Sequence, residues 1–251
     1  MKSFLFVKVL QFVWCVLRTL VSYILVGAVL LVFGLPFFLV LIVTPVKYRC
    51  NNRLLYILLH LIYKGIVGAT FMSLSIKGRE HLPKEPSIIV ANHQSSLDIP
   101  LLGVVLGLRA HVWFIYEVYM RVPVLGFFAR RFGFTVPLAN NAQAARSLIK
   151  GMRFLRKESC DLAIFPEGGR YNDGTVHEFF KGFAVLARKT GRPVVPVFMP
   201  YNGSVYPPHS FLLYSHRLVV IVGKPIYLRD DETDKQFMLR VYDWFVKNST
   251  C

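Results

Sequence analysis

His93 and Asp98 stand five positions apart in the stretch Ile88-Ile89-Val90-Ala91-Asn92-His93-Gln94-Ser95-Ser96-Leu97-Asp98. A neutral imidazole accepts a proton near pH 7, and a carboxylate on its far ring nitrogen fixes the tautomer and stabilises the cation that forms. The spacing therefore predicts a general base, His93, with its orienter, Asp98. A second stretch runs Leu162-Ala163-Ile164-Phe165-Pro166-Glu167-Gly168-Gly169-Arg170. Its arginine can grip a phosphate with two parallel hydrogen bonds, while the glycines let backbone approach closely. Glu167, Gly168, Gly169 and Arg170 thus read as a binding block for a phosphorylated substrate. Ser95 and Ser96 raise the alternative of a serine hydrolase, but neither lies in a Gly-x-Ser-x-Gly elbow.

These residues need elements to hold them. The apolar run before Asn92 reads as a strand, Asn92 onwards as its exit loop, and Asp98-Ile99-Pro100 as a helix start with an N-cap acid and an early proline. Leu162–Phe165 reads as a second strand ending at the second block. Ser73–Lys77, Val112–Tyr116, Phe134–Val136, Val194–Met199 and Leu218–Val222 have the same β-rich character. Helical patterns lie between, clearest over Ala142 to Arg156, and the polar stretch Arg229 to Lys235 leads into a terminal helix. This alternation predicts an α/β domain with a mixed, largely parallel sheet flanked by helices, where ligands collect outside strand ends. Both blocks sit at such ends and can face one cleft. The free backbone N–H groups at the helix start near Asp98, with Asn92 and Gln94, are the candidate donors to an oxyanion.

The chain has 251 residues, 54% hydrophobic and 18% charged, which suits one domain with a membrane segment. No Asp or Glu occurs before Glu80, and no charge of either sign between Thr19 and Val46, a run long enough to cross a bilayer. It is too long for the core of a secretory signal and is expected to be retained. Pro36, with Gly34 nearby, predicts a kink. A second apolar segment, Leu54 to Met72, carries His60 and Lys64 and reads as a helix in the membrane interface or packed on the first, with a buried helix of the α/β domain as the alternative. The expected organisation is therefore an anchor over 1–72, with N-terminal membrane helices at 19–46 and 54–72, and an α/β domain over 73–251. A net charge of +16 beside long apolar stretches fits an anionic lipid surface and a phosphorylated substrate better than nucleic acid. Cys15, Cys50, Cys160 and Cys251 are scattered, without metal-ligand spacing or a disulfide framework, so a reducing cytoplasmic face is expected.

Taken together, the two blocks resemble those of the glycerolipid acyltransferase family, whose signatures are Asn-His-x4-Asp and Phe-Pro-Glu-Gly-Thr-Arg. The likeness is greatest to its bacterial 1-acyl-glycerol-3-phosphate acyltransferases and covers roughly residues 73 to 225. It implies transfer of a fatty acyl group from acyl-CoA or acyl carrier protein to the free hydroxyl of a lysophosphatidic-acid-like acceptor. Attack on the thioester would be direct, with no acyl-enzyme, and no cofactor or metal is implied. Catalysis would rest on His93 and Asp98, with Asn92, Glu167, Gly168, Gly169, Arg170 and Lys181 at the substrate. Lys181 lies in Phe180-Lys181-Gly182-Phe183-Ala184, similar to the family's Lys-Gly segment. Pro193-Val194-Val195-Pro196-Val197 resembles an apolar strand that lines the acyl chain. The partners implied are the thioester donor, a lysophospholipid and membrane lipids, and the location a bacterial inner membrane with the domain on its cytoplasmic side.

The sequence departs from the family at three places. Gly169 replaces the usual Thr of the second signature. In an intervening block around Tyr116-Glu117-Val118 and Pro123-Val124-Leu125-Gly126, Tyr116 replaces a lysine and Ala139 an arginine, for which Arg121, Arg130 or Arg131 could compensate. Acylation of another lysophospholipid or lyso-aminolipid is accordingly the alternative, and a non-catalytic lipid-binding module the alternative of another class.

Overall fold

The computed structural model describes residues 2–116, 126, 133–136 and 141–249. Helix α1 (Lys2–Val29) continues through a π-helical turn at Leu30–Gly34 into α2 (Leu35–Val43). Pro36 cannot donate a backbone hydrogen bond, and its ring would strike the carbonyl one turn back. The chain widens just before it, and Leu35 N–H reaches back to Leu30 O. The kink expected near Gly34 and Pro36 is thus a π turn. Phe6–Val43 is, among the described residues, the one helix long and apolar enough to cross a membrane. At 1.5 Å per residue it would span roughly 57 Å, well beyond the about 30 Å of a hydrocarbon core.

Part of α1 serves the domain instead. Arg18 donates to Leu213 O and Ser215 Oγ, Leu213 N–H to Thr19 Oγ1 (3.0 Å), and the Tyr23 hydroxyl to Phe211 O (2.9 Å). These bonds clamp one polar seam of the helix to the segment around residues 211–215, while Trp14, Leu17, Ile24 and Leu31 remain exposed on its apolar side.

The Asn52 side chain caps α3 (Arg53–Gly68), accepting from Leu54 N–H and Leu55 N–H. The inner face of α3 (Leu55, Tyr56, Leu59, Ile62, Tyr63 and Val67) lies in the same apolar core as the sheet. Helix α3 therefore packs on the first apolar helix, as expected of this segment, with Phe37 and Leu41 in the shared core, and also along that face of the sheet.

Seven strands form one mixed sheet: β1 (Leu74–Lys77), β2 (Ile88–Ala91), β3 (His111–Tyr116), β4 (Gly133–Val136), β5 (Asp161–Ile164), β6 (Val194–Phe198) and β7 (Leu218–Val222), in the order β1-β7-β6-β2-β5-β3-β4. Every neighbouring pair is parallel except β6 with β7. Side chains alternate between faces along each strand. Ile89, Ala91, Ala163, Val195 and Val197 face α3 and α4 (Asp98–Leu106). Ile88, Val90, Leu162, Val194 and Phe198 face α6 (Gly182–Thr190) and α8 (Asp234–Ser249), with α5 (Asn141–Leu155) alongside. Burying each large aliphatic side chain stabilises by about 1.5–3 kcal/mol, so two complete apolar faces hold the sheet edge-on to the cleft.

This topology positions the chemistry. β2 is central, with β5 on one side and β6 on the other, all three parallel. Their C-terminal ends open on the same edge, so Asn92, Pro166 and Met199 emerge side by side.

Candidate active site

His93 leaves β2 and Asp98 opens α4. The His93 Nδ1 to Asp98 Oδ2 distance is 2.8 Å. A carboxylate only accepts, so Nδ1 carries the proton and Nε2 is the basic nitrogen. The Asp98 carboxylate is fully buried, and the same Oδ2 accepts from the backbone N–H of Gln94 (2.6 Å) and Ser95 (2.8 Å). Its Oδ1 accepts from Asn202 Nδ2 at 2.8 Å, on the short α7 (Asn202–Val205) after β6. Four donors make this buried charge tolerable and fix its orientation. Leu97, not Asp98, occupies the N-cap of α4. Asp98 is the first helical residue because its side chain reaches back to loop amides, where its negative charge still favours the helix N-terminus. The His93 ring stacks on Phe165, centroids 4.0 Å apart and planes 11° apart, and Phe165 in turn stacks on Trp113.

The two sequence blocks meet through backbone. His93 N–H donates to Glu167 Oε1 (3.0 Å), and Tyr171 N–H donates to His93 O (2.9 Å). Both main-chain polar groups of the base are thus held by the second block. Glu167 Oε2 accepts from His177 N–H at 3.3 Å. Burial pushes the Glu167 carboxyl up to about 7, against the lowering pull of the two backbone donors. Glu167 is therefore a brace between the two loops. Gly168 has φ +73°, a conformation that disfavours any side chain. Arg170, half-buried, donates from one guanidinium nitrogen to Ser96 Oγ at 2.7 Å, which sets the cation three residues from the base.

The other expected site residues fall in two groups. Lys181 is exposed at the N-cap of α6, and its neighbour Phe180 donates N–H to Pro166 O at 2.9 Å, so the lysine enters beside the second block. Asn92 does not reach the cleft as a free amide. Its Nδ2 donates to Met199 O (3.0 Å) and its Oδ1 accepts from Met199 N–H (2.8 Å), extending the β2–β6 ladder by one side chain. Of the expected oxyanion donors, Gln94 gives its backbone N–H to Asp98, as does Ser95. Ser95 Oγ donates to Tyr206 O at 2.8 Å and Ser96 accepts from Arg170, an arrangement in which neither serine is bonded to His93. Glu117, Arg121, Arg130, Arg131, Ala139 and the Tyr116 side chain lie outside the described residues.

Asn202 and Tyr171 lie beside His93 and Asp98 and carry no local signal, whereas Phe165 opens the second signature block. Asn202 is 104 residues from Asp98, and only the β2–β6 adjacency brings them together. Beside the site, an apolar cavity of about 290 Å³ is lined by Ser96, Leu97, Ile99, Tyr63, Tyr23 and Tyr206, among others. β6, whose apolar run could line an acyl chain or simply pack in the core, is buried along its whole length beside β2.

A buried acid bonded to a histidine, and a guanidinium bonded to the same loop, thus meet at the strand ends of an α/β sheet. The acyltransferase family model matches residues 73–200, and the chain belongs to that family. It is 37% identical over 162 residues to the "1-acyl-sn-glycerol-3-phosphate acyltransferase BAT2, chloroplastic" of Brassica napus, covering 62% of this chain and 46% of that protein. It is 33% identical over 204 residues to the chloroplastic LPAT1 enzyme of the same description from Arabidopsis thaliana, covering 79% and 54%. With the 1-acyl-sn-glycerol-3-phosphate acyltransferase of Saccharomyces cerevisiae it shares 31% over 180 residues, covering 70% and 59%. The chain thus spans about half the length of these curated relatives. The crystal structure of the 1-acyl-sn-glycerophosphate (LPA) acyltransferase PlsC from Thermotoga maritima has the same fold, with a TM-score of 0.80, 21% identity and 96% of each chain covered.

Proposed function

We propose that this chain transfers a fatty acyl group from acyl-CoA or acyl carrier protein to the free hydroxyl of 1-acyl-glycerol-3-phosphate, giving phosphatidic acid for phospholipid synthesis. The observation that carries this reading is the 2.8 Å His93–Asp98 contact, which makes Nε2 the base, beside a guanidinium suited to phosphate. His93 Nε2 takes the proton as the acceptor oxygen attacks the thioester carbonyl. The tetrahedral intermediate collapses, the C–S bond breaks, and the imidazolium returns its proton to the departing thiolate. Asp98 stabilises the transient cation. Arg170 and Lys181 attract the phosphate, and the apolar cavity beside Ser96 suits an acyl chain. α1 and α2 anchor the enzyme at the cytoplasmic face of a bacterial inner membrane, a reading supported by the apolar helix Phe6–Val43 and the excess of basic residues.

The departures at Tyr116 and Ala139, where the family carries a lysine and an arginine, favour a second reading in which the acceptor is another lysophospholipid or a lyso-aminolipid. The test is mass spectrometry of lipids formed by membranes containing this protein, supplied in parallel with labelled acyl-CoA or labelled acyl carrier protein thioester and a panel of lysolipids. Labelled phosphatidic acid from lysophosphatidic acid is the expected product. Label only in lipids with substituted phosphates would favour the second reading, and no incorporation would reject both.

A further inference from the structure

The replacement of threonine by Gly169 is matched by a neighbour. A Cβ built on Gly169 would lie 2.9 Å from Cε2, Cζ and Oη of Tyr171, closer than real contacts allow. The phenol thus lies against the space that a side chain at 169 would fill, with its hydroxyl 2.9 Å from the position of that Cβ. The ring is held there. It stacks on His177 with centroids 3.7 Å apart and planes 13° apart. His177 is fixed in turn: its Nε2 is 2.7 Å from Asp173 Oδ2 and 3.2 Å from Thr175 Oγ1, and its backbone N–H donates to Glu167. At the other end, Tyr171 N–H is bonded to His93 O. One half-buried residue therefore touches the loop of His93, follows Arg170 directly, and lays its hydroxyl over the glycine.

We propose that Tyr171 is an acceptor-binding residue, its phenol hydroxyl donating to a head-group oxygen of the phospholipid acceptor in place of the hydroxyl that Gly169 lacks. This rests on the reading of the reaction given above. Gly169 and Tyr171 then act as a pair: glycine is required at 169 because the ring lies against it, and the ring supplies the donor that glycine cannot. A hydroxyl held by stacking needs little ordering when the lipid arrives, which favours binding. The geometry also sets a cost for changing one member alone, since threonine at 169 must push the ring off His177.

The test is steady-state kinetics of the full-length protein in detergent, with lysophosphatidic acid varied at saturating acyl-CoA and the reverse. Tyr171→Phe keeps the ring and its stack, so the melting temperature and the donor KM should hold. The acceptor KM should rise about ten-fold, as expected for one hydrogen bond to a charged oxygen. Tyr171→Ala should lose at least as much. Adding Gly169→Thr to Tyr171→Ala returns a hydroxyl to the vacated space and should restore the acceptor KM to within about three-fold of the unmodified protein. An unchanged acceptor KM in Tyr171→Phe, or a double variant no better than Tyr171→Ala, would overturn the assignment while leaving the reaction intact. If the unmodified protein does not acylate lysophosphatidic acid, the reading of the reaction fails and this assignment falls with it.

Discussion

Asn202 Nδ2 donates to Asp98 Oδ1 at 2.8 Å, joining the end of β6 to the acid that orients the base. Because the other oxygen of Asp98 holds His93 and two loop amides, Asn202 is, among the described residues, the one side chain fixing the carboxylate's far side. Asn202→Leu should leave the sheet intact and let the carboxylate swing. A buried hydrogen bond to a charged group is worth about 1.5–3 kcal/mol, so kcat should fall at least about ten-fold while both KM values stay near normal. Unchanged kcat would mean that the loop amides suffice to position Asp98.

Glu167 makes stability depend on pH. Its folded value is raised from 4.5 to about 7, so between those limits the folded protein holds a proton that the unfolded chain has released. That contribution is fully present below pH 4.5 and is lost as pH rises through about 7. Glu167→Gln cannot ionise, so its melting temperature should fall less than the unmodified protein's across this window. Parallel melting curves for the two proteins would exclude Glu167 as the source.

Arg170→Ala should raise the acceptor's apparent KM by about 10- to 150-fold, the loss of a charge-assisted contact, with the donor KM unaffected. Arg170→Lys should recover part of it, because an ammonium keeps the charge without the two-pronged geometry. Equal losses toward phosphorylated and unphosphorylated acceptors would place Arg170 in a purely structural role.

Direct attack on the thioester predicts that no acyl-enzyme accumulates. Protein incubated with labelled acyl-CoA alone, then denatured and weighed intact, should carry no stoichiometric adduct. Ser95 is bonded to Tyr206 O and Ser96 to Arg170, so neither is paired with the base as a nucleophile must be. A burst of acylated protein would contradict this.

Much of this organisation is legible in the sequence because its signals are local. Alternating apolar runs mark all seven strands to within about a residue, and the boundary shifts are of the size expected for frayed ends. His93, Asp98 and Arg170 are legible because their residue types limit what they can do. Long-range geometry is less visible. Asn92 looks like a free amide until β6 is known to lie beside it. Glu167 looks like a substrate ligand until its two oxygens are seen bonded to backbone. The Leu54 to Met72 segment has the composition of an interfacial helix, and only its neighbours α4 and the sheet reveal a buried face. Tyr171 has no local signal at all, since its meaning lies in the missing Cβ of Gly169.

In the proposed reaction the His93–Asp98 pair supplies the base for acyl transfer to a lysophospholipid hydroxyl. The most direct measurement is the turnover of His93→Ala with saturating acyl-CoA and lysophosphatidic acid, alongside its melting temperature. General-base help is worth roughly 10²–10⁴ in rate, so turnover should fall by at least about a hundred-fold in a protein that melts like the original. A folded His93→Ala variant that forms phosphatidic acid within about ten-fold of the normal rate would contradict the mechanism.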